Sequence, residues 1–186
     1  MSSFLTLLGK VDLDNSAQLQ ELEQTGTDMF ALLEDHVDSE DNYIFKHLEE
    51  RAPGSCQPDR EEHERLDTLQ SELEARFTTL INNKDRDSQY QYYLDFSQFY
   101  ALYLAHIFHE ETEIEPLLHQ HFTDEELILH RNEVTAKIPL PLLITWLKNI
   151  IAAQSRPENA DMLKDMIKSI PIEAMEQIRS LIGGDD

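Results

Sequence analysis

The chain has a single cysteine, Cys56, in 186 residues, which excludes an internal disulfide and any zinc or iron–sulfur site built from several thiolates. Positive charge is scarce. Fifteen Lys and Arg stand against 37 Asp and Glu, a formal net charge of -22. No basic patch is present to displace counterions from phosphates, so nucleic acid is not an expected partner. There are only five glycines, and long stretches contain no proline, which predicts helices and argues against a sandwich or a βαβ alternation. No apolar run approaches membrane-spanning length. "MSSFLTLLGK" has no basic region before its short apolar run and no small-residue cleavage site after it. The expectation is an all-α, cytoplasmic protein with no membrane partner.

What is present is a set of amphipathic stripes. With 40% apolar residues the chain can build one well-buried domain. Leu22, Met29, Leu33 and Ile44 recur at helical spacing between residues 15 and 51, and "APGSCQP" ends that helix. A second helix is expected over 59–81 along Leu66, Leu69, Leu73, Phe77 and Leu80, stopping at "NNKDRD". A third spans 88–121, with Tyr92, Phe96, Phe99 and Tyr103 on its stripe and a kink expected at Pro116. Thr123 and Glu126 have capping-box spacing and open a shorter helix. "KIPLPLLITWLKNIIAAQ", "PENADMLKDMIKSI" and "PIEAMEQIRSLIGG" then read as three short helices. This divides the chain into a bundle, 1–122, and a helical extension, 123–186, packed on the same domain.

Histidines sit on the inner stripes of all three long helices. His36 extends the stripe of Leu22, Met29 and Leu33, and Glu40 follows at i+4, one turn along the same face. His106 extends the stripe of Phe96, Phe99 and Tyr103, and Glu110 again follows at i+4. His63 precedes Leu66 by one turn. The two H-x-x-x-E units are echoed downstream, with Leu48 and Leu118 at equivalent offsets, as two halves of one site would be.

A lone histidine on an apolar stripe is usually a satisfied core residue. Two glutamates on the same stripes change the balance, because an ionised buried carboxylate costs several kcal/mol unless it is paired or bound to a metal. Imidazole and carboxylate without thiolate suit iron or manganese, zinc would also be accepted, and carboxylates from opposite helices can bridge two ions. The pattern predicts a dinuclear metal site. Ferritin-like Glu-x-x-His, H-E-x-x-H, G-x-S-x-G and a phosphate-cradling glycine loop are all missing from the sequence.

"HVDSEDNYIFKHLEE", "REEHERL" and "LAHIFHEETEIEPLL" resemble the ligand-bearing segments of the hemerythrin-like, or HHE cation-binding, family. The resemblance covers most of the chain. It implies a four-helix bundle holding a non-haem di-iron centre, with His36 and Glu40 as ligands on the family's second helix, His63 on its third, and His106 and Glu110 on its fourth. By the same resemblance, the ligand would be dioxygen or nitric oxide, or the protein would sense, repair or store iron. The family's first-helix histidine has no counterpart before His36, and "MSSFLTLLGKVDLD" is similar to the end of that helix and the loop after it, as in a chain that starts late. Three long helices then leave an open side, to be filled by "LPLLITWLKNIIAA" or by a second copy in a homodimer. The functional expectation is a metal-dependent binding or sensor protein. A di-iron oxidase or reductase and a metal-free helical interaction protein are the alternatives, so enzymatic activity is left open.

Overall fold

The computed structural model describes residues 1–153 and 155. Among the described residues the chain is helical throughout, with no strand. It divides into two compact units, Met1–Leu127 and Ile128–Asp186.

The first unit is built on three long helices. The first runs from 16 to 51 as α2 (Ser16–Ser39), a π turn (Glu40–Ile44) and α3 (Phe45–Arg51). Asn15 starts it, its side chain accepting from the amides of Ala17 and Gln18 at 3.1 and 3.2 Å. The second is α4 (Gln57–Asn83), opened by Pro58 in its first turn and closed by Lys84 in the left-handed conformation. The third runs from 86 to 121 as α5 (Arg86–His109), a π turn (Glu110–Ile114) and α6 (Glu115–His121), with Asp85 accepting from the Ser88 amide at 2.8 Å. Gly54, at φ 86°, supplies the positive dihedral that turns the chain between α3 and α4.

The kink expected at Pro116 is instead a π turn that begins at Glu110, where the Glu115 amide bonds the Glu110 carbonyl. Proline is not its cause. The first long helix has the same wide turn from Glu40, closed by Phe45, and there is no proline in it. Each π turn thus starts at the glutamate of an H-x-x-x-E unit. The extra residue rotates the following turns so that Phe45 and Leu48, and on the other helix Ile114 and Leu118, still point inward.

Two apolar clusters result. The larger is aromatic, with Phe30, Phe77, Phe96 and Phe99 buried along the bundle. The smaller gathers Phe45, Leu48, Cys56, Ile114, Leu118 and Phe122 at the other end. Residues 2–10, in the stretch that resembles the end of a first helix, form a helix, α1 (Ser2–Lys10). The fourth side is therefore covered along the aromatic cluster by α1 itself, and neither filler expected from the sequence is needed there. Phe4 is 1% exposed and packs edge-on against Phe77 and Phe96, with centroids 5.4 and 4.8 Å apart. Gly26 makes room for it, since a Cβ there would lie 2.6 Å from Phe77 and 2.9 Å from Phe4.

The capping box forms as the spacing predicts. The Thr123 amide bonds Glu126 at 2.9 Å, and the Glu126 amide bonds the Thr123 hydroxyl at 3.3 Å, opening α7 (Asp124–Lys137). In the second unit, α8 (Leu140–Ala153) buries Leu143 and Leu147. The two helices expected after Pro157 lie outside the described residues.

Candidate metal centre

The five side chains singled out by the sequence converge between the two apolar clusters. His36 Nε2 lies 3.3 Å from Glu40 Oε2 and 3.6 Å from Glu110 Oε2. His63 Nε2 is 3.4 Å from Glu40 Oε2 and 3.5 Å from Glu110 Oε1. His106 Nε2 is 3.0 Å from Glu110 Oε1 and 3.0 Å from His63 Nε2. Ligand-type atoms of His36, Glu40, His106 and Glu110 all fall within 4.8 Å of one another. Every histidine turns the same nitrogen inward.

The outer nitrogens meet carboxylates that the sequence pattern did not flag. His63 Nδ1 lies 3.2 Å from Asp41 Oδ1, and His106 Nδ1 lies 3.4 Å from Glu62 Oε2. Asp41 is itself held by Arg60, whose guanidinium bonds its carboxylate at 3.3 Å and its carbonyl at 3.0 Å. Phe45 stacks on His63 with centroids 5.4 Å apart. Carboxylates behind imidazoles fix the ring orientation and raise ligand basicity, a common arrangement around metals. Asp41 neighbours Glu40 and Glu62 neighbours His63, but adjacent helical residues point about 100° apart, so a search along a single face passes over both.

Burial is uneven across the cluster, which sets its electrostatics. The side chains of His63 and His106 are 1% and 0% exposed, whereas those of His36 and Glu40 are 23% and 14% exposed, so the cluster opens to solvent on the His36 side. Burial works against a charged His63, but the neighbouring carboxylates of Glu110 and Glu40 outweigh it and push its pKa up to about 10. His106 is raised in the same way, against its burial, chiefly by Glu110. Glu110 is held well below the usual carboxylate range, since the imidazoles of His106, His36 and His63 gathered around it overcome its burial. Glu40 moves upward, mainly because it is buried.

Three inward atoms, His36 Nε2, Glu40 Oε2 and Glu110 Oε1, are buried and have no hydrogen-bond partner. Orphaned buried polar atoms are costly, and three aimed at one point are what a cation would satisfy. The donor set of three imidazoles and two carboxylates fits a metal pair.

The family model for the hemerythrin HHE cation binding domain matches residues 3–118. The chain belongs to that family. The HHE match spans α1 through most of α6, and α7 and α8 lie beyond it. No curated protein and no solved structure matches the chain. Cation binding is what HHE membership implies, and the His–Glu cluster lies inside the matched region. The remaining histidines do not enlarge it. His109 faces Asp59, with Nε2 and Oδ1 3.4 Å apart, and His119 pairs with Glu115 at 3.2 Å. α1 carries no histidine.

Proposed function

We propose that the protein binds iron as a dinuclear centre and uses it to bind reversibly, or to sense, dioxygen or nitric oxide. The observation that carries this reading is the clustering of His36, Glu40, His106 and Glu110, with His63 beside them, around one point where three inward atoms are unsatisfied. Glu40 and Glu110, from opposite helices, and the imidazoles of His36, His63 and His106 would hold the ions. Bound there, an iron pair would supply reversible electron exchange with a diatomic ligand, which the chain's own side chains cannot provide.

The protein's contribution is position and access. Glu62 holds the ring of His106 and Asp41 stands behind that of His63, and the apolar clusters keep water away along the bundle axis. The partly exposed His36 side leaves a route for a small ligand into the cluster. No helix among the described residues is long and apolar enough to cross a membrane. With its one cysteine buried and unpaired, the chain suits a reducing, cytoplasmic setting.

The test is the optical spectrum of protein loaded anaerobically with ferrous iron, taken before and after air or nitric oxide. Near-ultraviolet charge-transfer absorption that develops with the ligand and reverses on its removal is expected. Iron retention without any change on exposure would refute ligand binding, and failure to retain iron would leave a helical interaction scaffold.

A further inference from the structure

The outward face of α5 presents Tyr90, Leu94, Ser97, Ala101, Leu104 and Phe108, residues that alternate by four and three along the helix and so form one continuous seam. Four of them are large and stand in solvent, with Tyr90 66%, Leu94 39%, Leu104 51% and Phe108 69% exposed. Ser97 has its hydroxyl bonded to the Tyr93 carbonyl at 2.7 Å, so covering it strands no donor.

The order of sizes along the seam is aromatic, leucine, small, small, leucine, aromatic. It reads the same from either end. A two-fold axis at the level of residue 99 would therefore set Tyr90 against Phe108, Leu94 against Leu104, and Ser97 against Ala101 of an antiparallel copy. Small residues would let the helices approach closely where they cross, and large ones would interlock at both ends.

Charge points to the same occupant. Between Ser88 and His109 the only formally charged side chain is Asp95, and Arg76 already pairs with it at 2.5 Å. On a chain of net charge -22 most surfaces of a second copy would repel, whereas this one would not. The flanking positions Gln91, Gln98 and Ala105 are uncharged as well. The seam is about 28 Å long. Its four large side chains expose roughly 450–500 Å² per copy, so a pair covering them fully would bury roughly 900–1,000 Å², the range of a weak, concentration-dependent interface.

We propose that the protein forms a two-fold homodimer through antiparallel pairing of α5. This surface differs from the side covered by α1, and its use does not depend on whether the centre holds iron. Each substitution enters a two-fold interface twice.

Light scattering and sedimentation of the full chain across micromolar concentrations should show a dimer that tightens with added salt, as the repulsion between two acidic copies is screened. Leu104→Glu and Leu104→Lys should each weaken it by about 100-fold with unchanged helicity, the opposite charges separating loss of packing from added repulsion. Mixing Ser97→Cys with Ala101→Cys protein under mild oxidation should give the mixed disulfide-linked dimer. A monomer at all concentrations, or a dimer indifferent to both Leu104 substitutions, would overturn the proposal. Ala101→Cys protein linking efficiently to itself would overturn the antiparallel pairing.

Discussion

Glu110→Ala should destabilise the metal-free protein in a way that depends on pH. Glu110 lies 3.0–3.6 Å from the inward nitrogens of His36, His63 and His106, and without it the buried His63 cation keeps only Glu40 and Asp41 nearby. Removing one partner of a buried ion pair typically costs about 3–5 kcal/mol. The imidazole sets a ceiling on this, because it can shed its proton instead. From a pKa of about 10 that escape costs roughly 4 kcal/mol at pH 7, so a loss of roughly 2–4 kcal/mol is expected. In a thermal melt of the metal-free protein this corresponds to a drop of roughly 6–12 °C. The folded pKa of His63 lies above its unfolded value, so its stabilising contribution is complete below about pH 6.5 and is lost as pH rises through about 10. Wild type should therefore lose stability across that interval while the variant changes little, and the two melting temperatures should converge at its alkaline end. A gap that stays constant from neutral pH to beyond pH 10 would refute the ionic account of the cluster.

Asp41→Ala and Glu62→Ala should each weaken metal binding by about 10–100-fold with the helical content intact, measured by competition with a chelator. Glu49→Ala should leave metal content unchanged yet cost about 1–3 kcal/mol in a denaturant melt, because Glu49 accepts from the amides of Gly54 and Cys56 at 2.6 and 2.8 Å and ties down the turn after α3. Gly26→Ala sets an overpacking cost of about 1–3 kcal/mol against a helix-propensity gain of about 1 kcal/mol. The crowding comes from two buried rings that cannot swing away, so net destabilisation is expected, and a raised melting temperature would contradict that packing.

The three long helices were legible because their apolar stripes keep a helical period, and the clustering of the candidate ligands because His and Glu interrupt those stripes at i, i+4. Helix ends shifted by two or three residues where capping decided them, as at Asn83, beyond which Lys84 turns left-handed. The π turns were not legible. Each inserts a residue into the hydrogen-bond ladder without changing composition, and at Pro116 the expected proline kink masked the one in the third long helix. α1 was missed as a packing element because nine residues carry too little periodicity to fix a face, and Phe4 acquires its role only from rings on three other helices. Glu49, which reads as a residue on an outer face, has a job set by a loop five to seven positions ahead. The carboxylates behind the histidines were hidden for a related reason: Asp41 to His63 and Glu62 to His106 are contacts between helices, and spacing along one helix says nothing about them.

The most direct test of the account is an anaerobic titration of the metal-free protein with ferrous iron, following bound metal per chain alongside the protons released. The cluster predicts saturation at two ions per chain, with proton release at neutral pH because the raised His63 must lose its proton to bind. It further predicts that Glu40→Ala and Glu110→Ala each abolish the dinuclear stoichiometry. Saturation at two ions in all three proteins, or no binding by wild type, would contradict it.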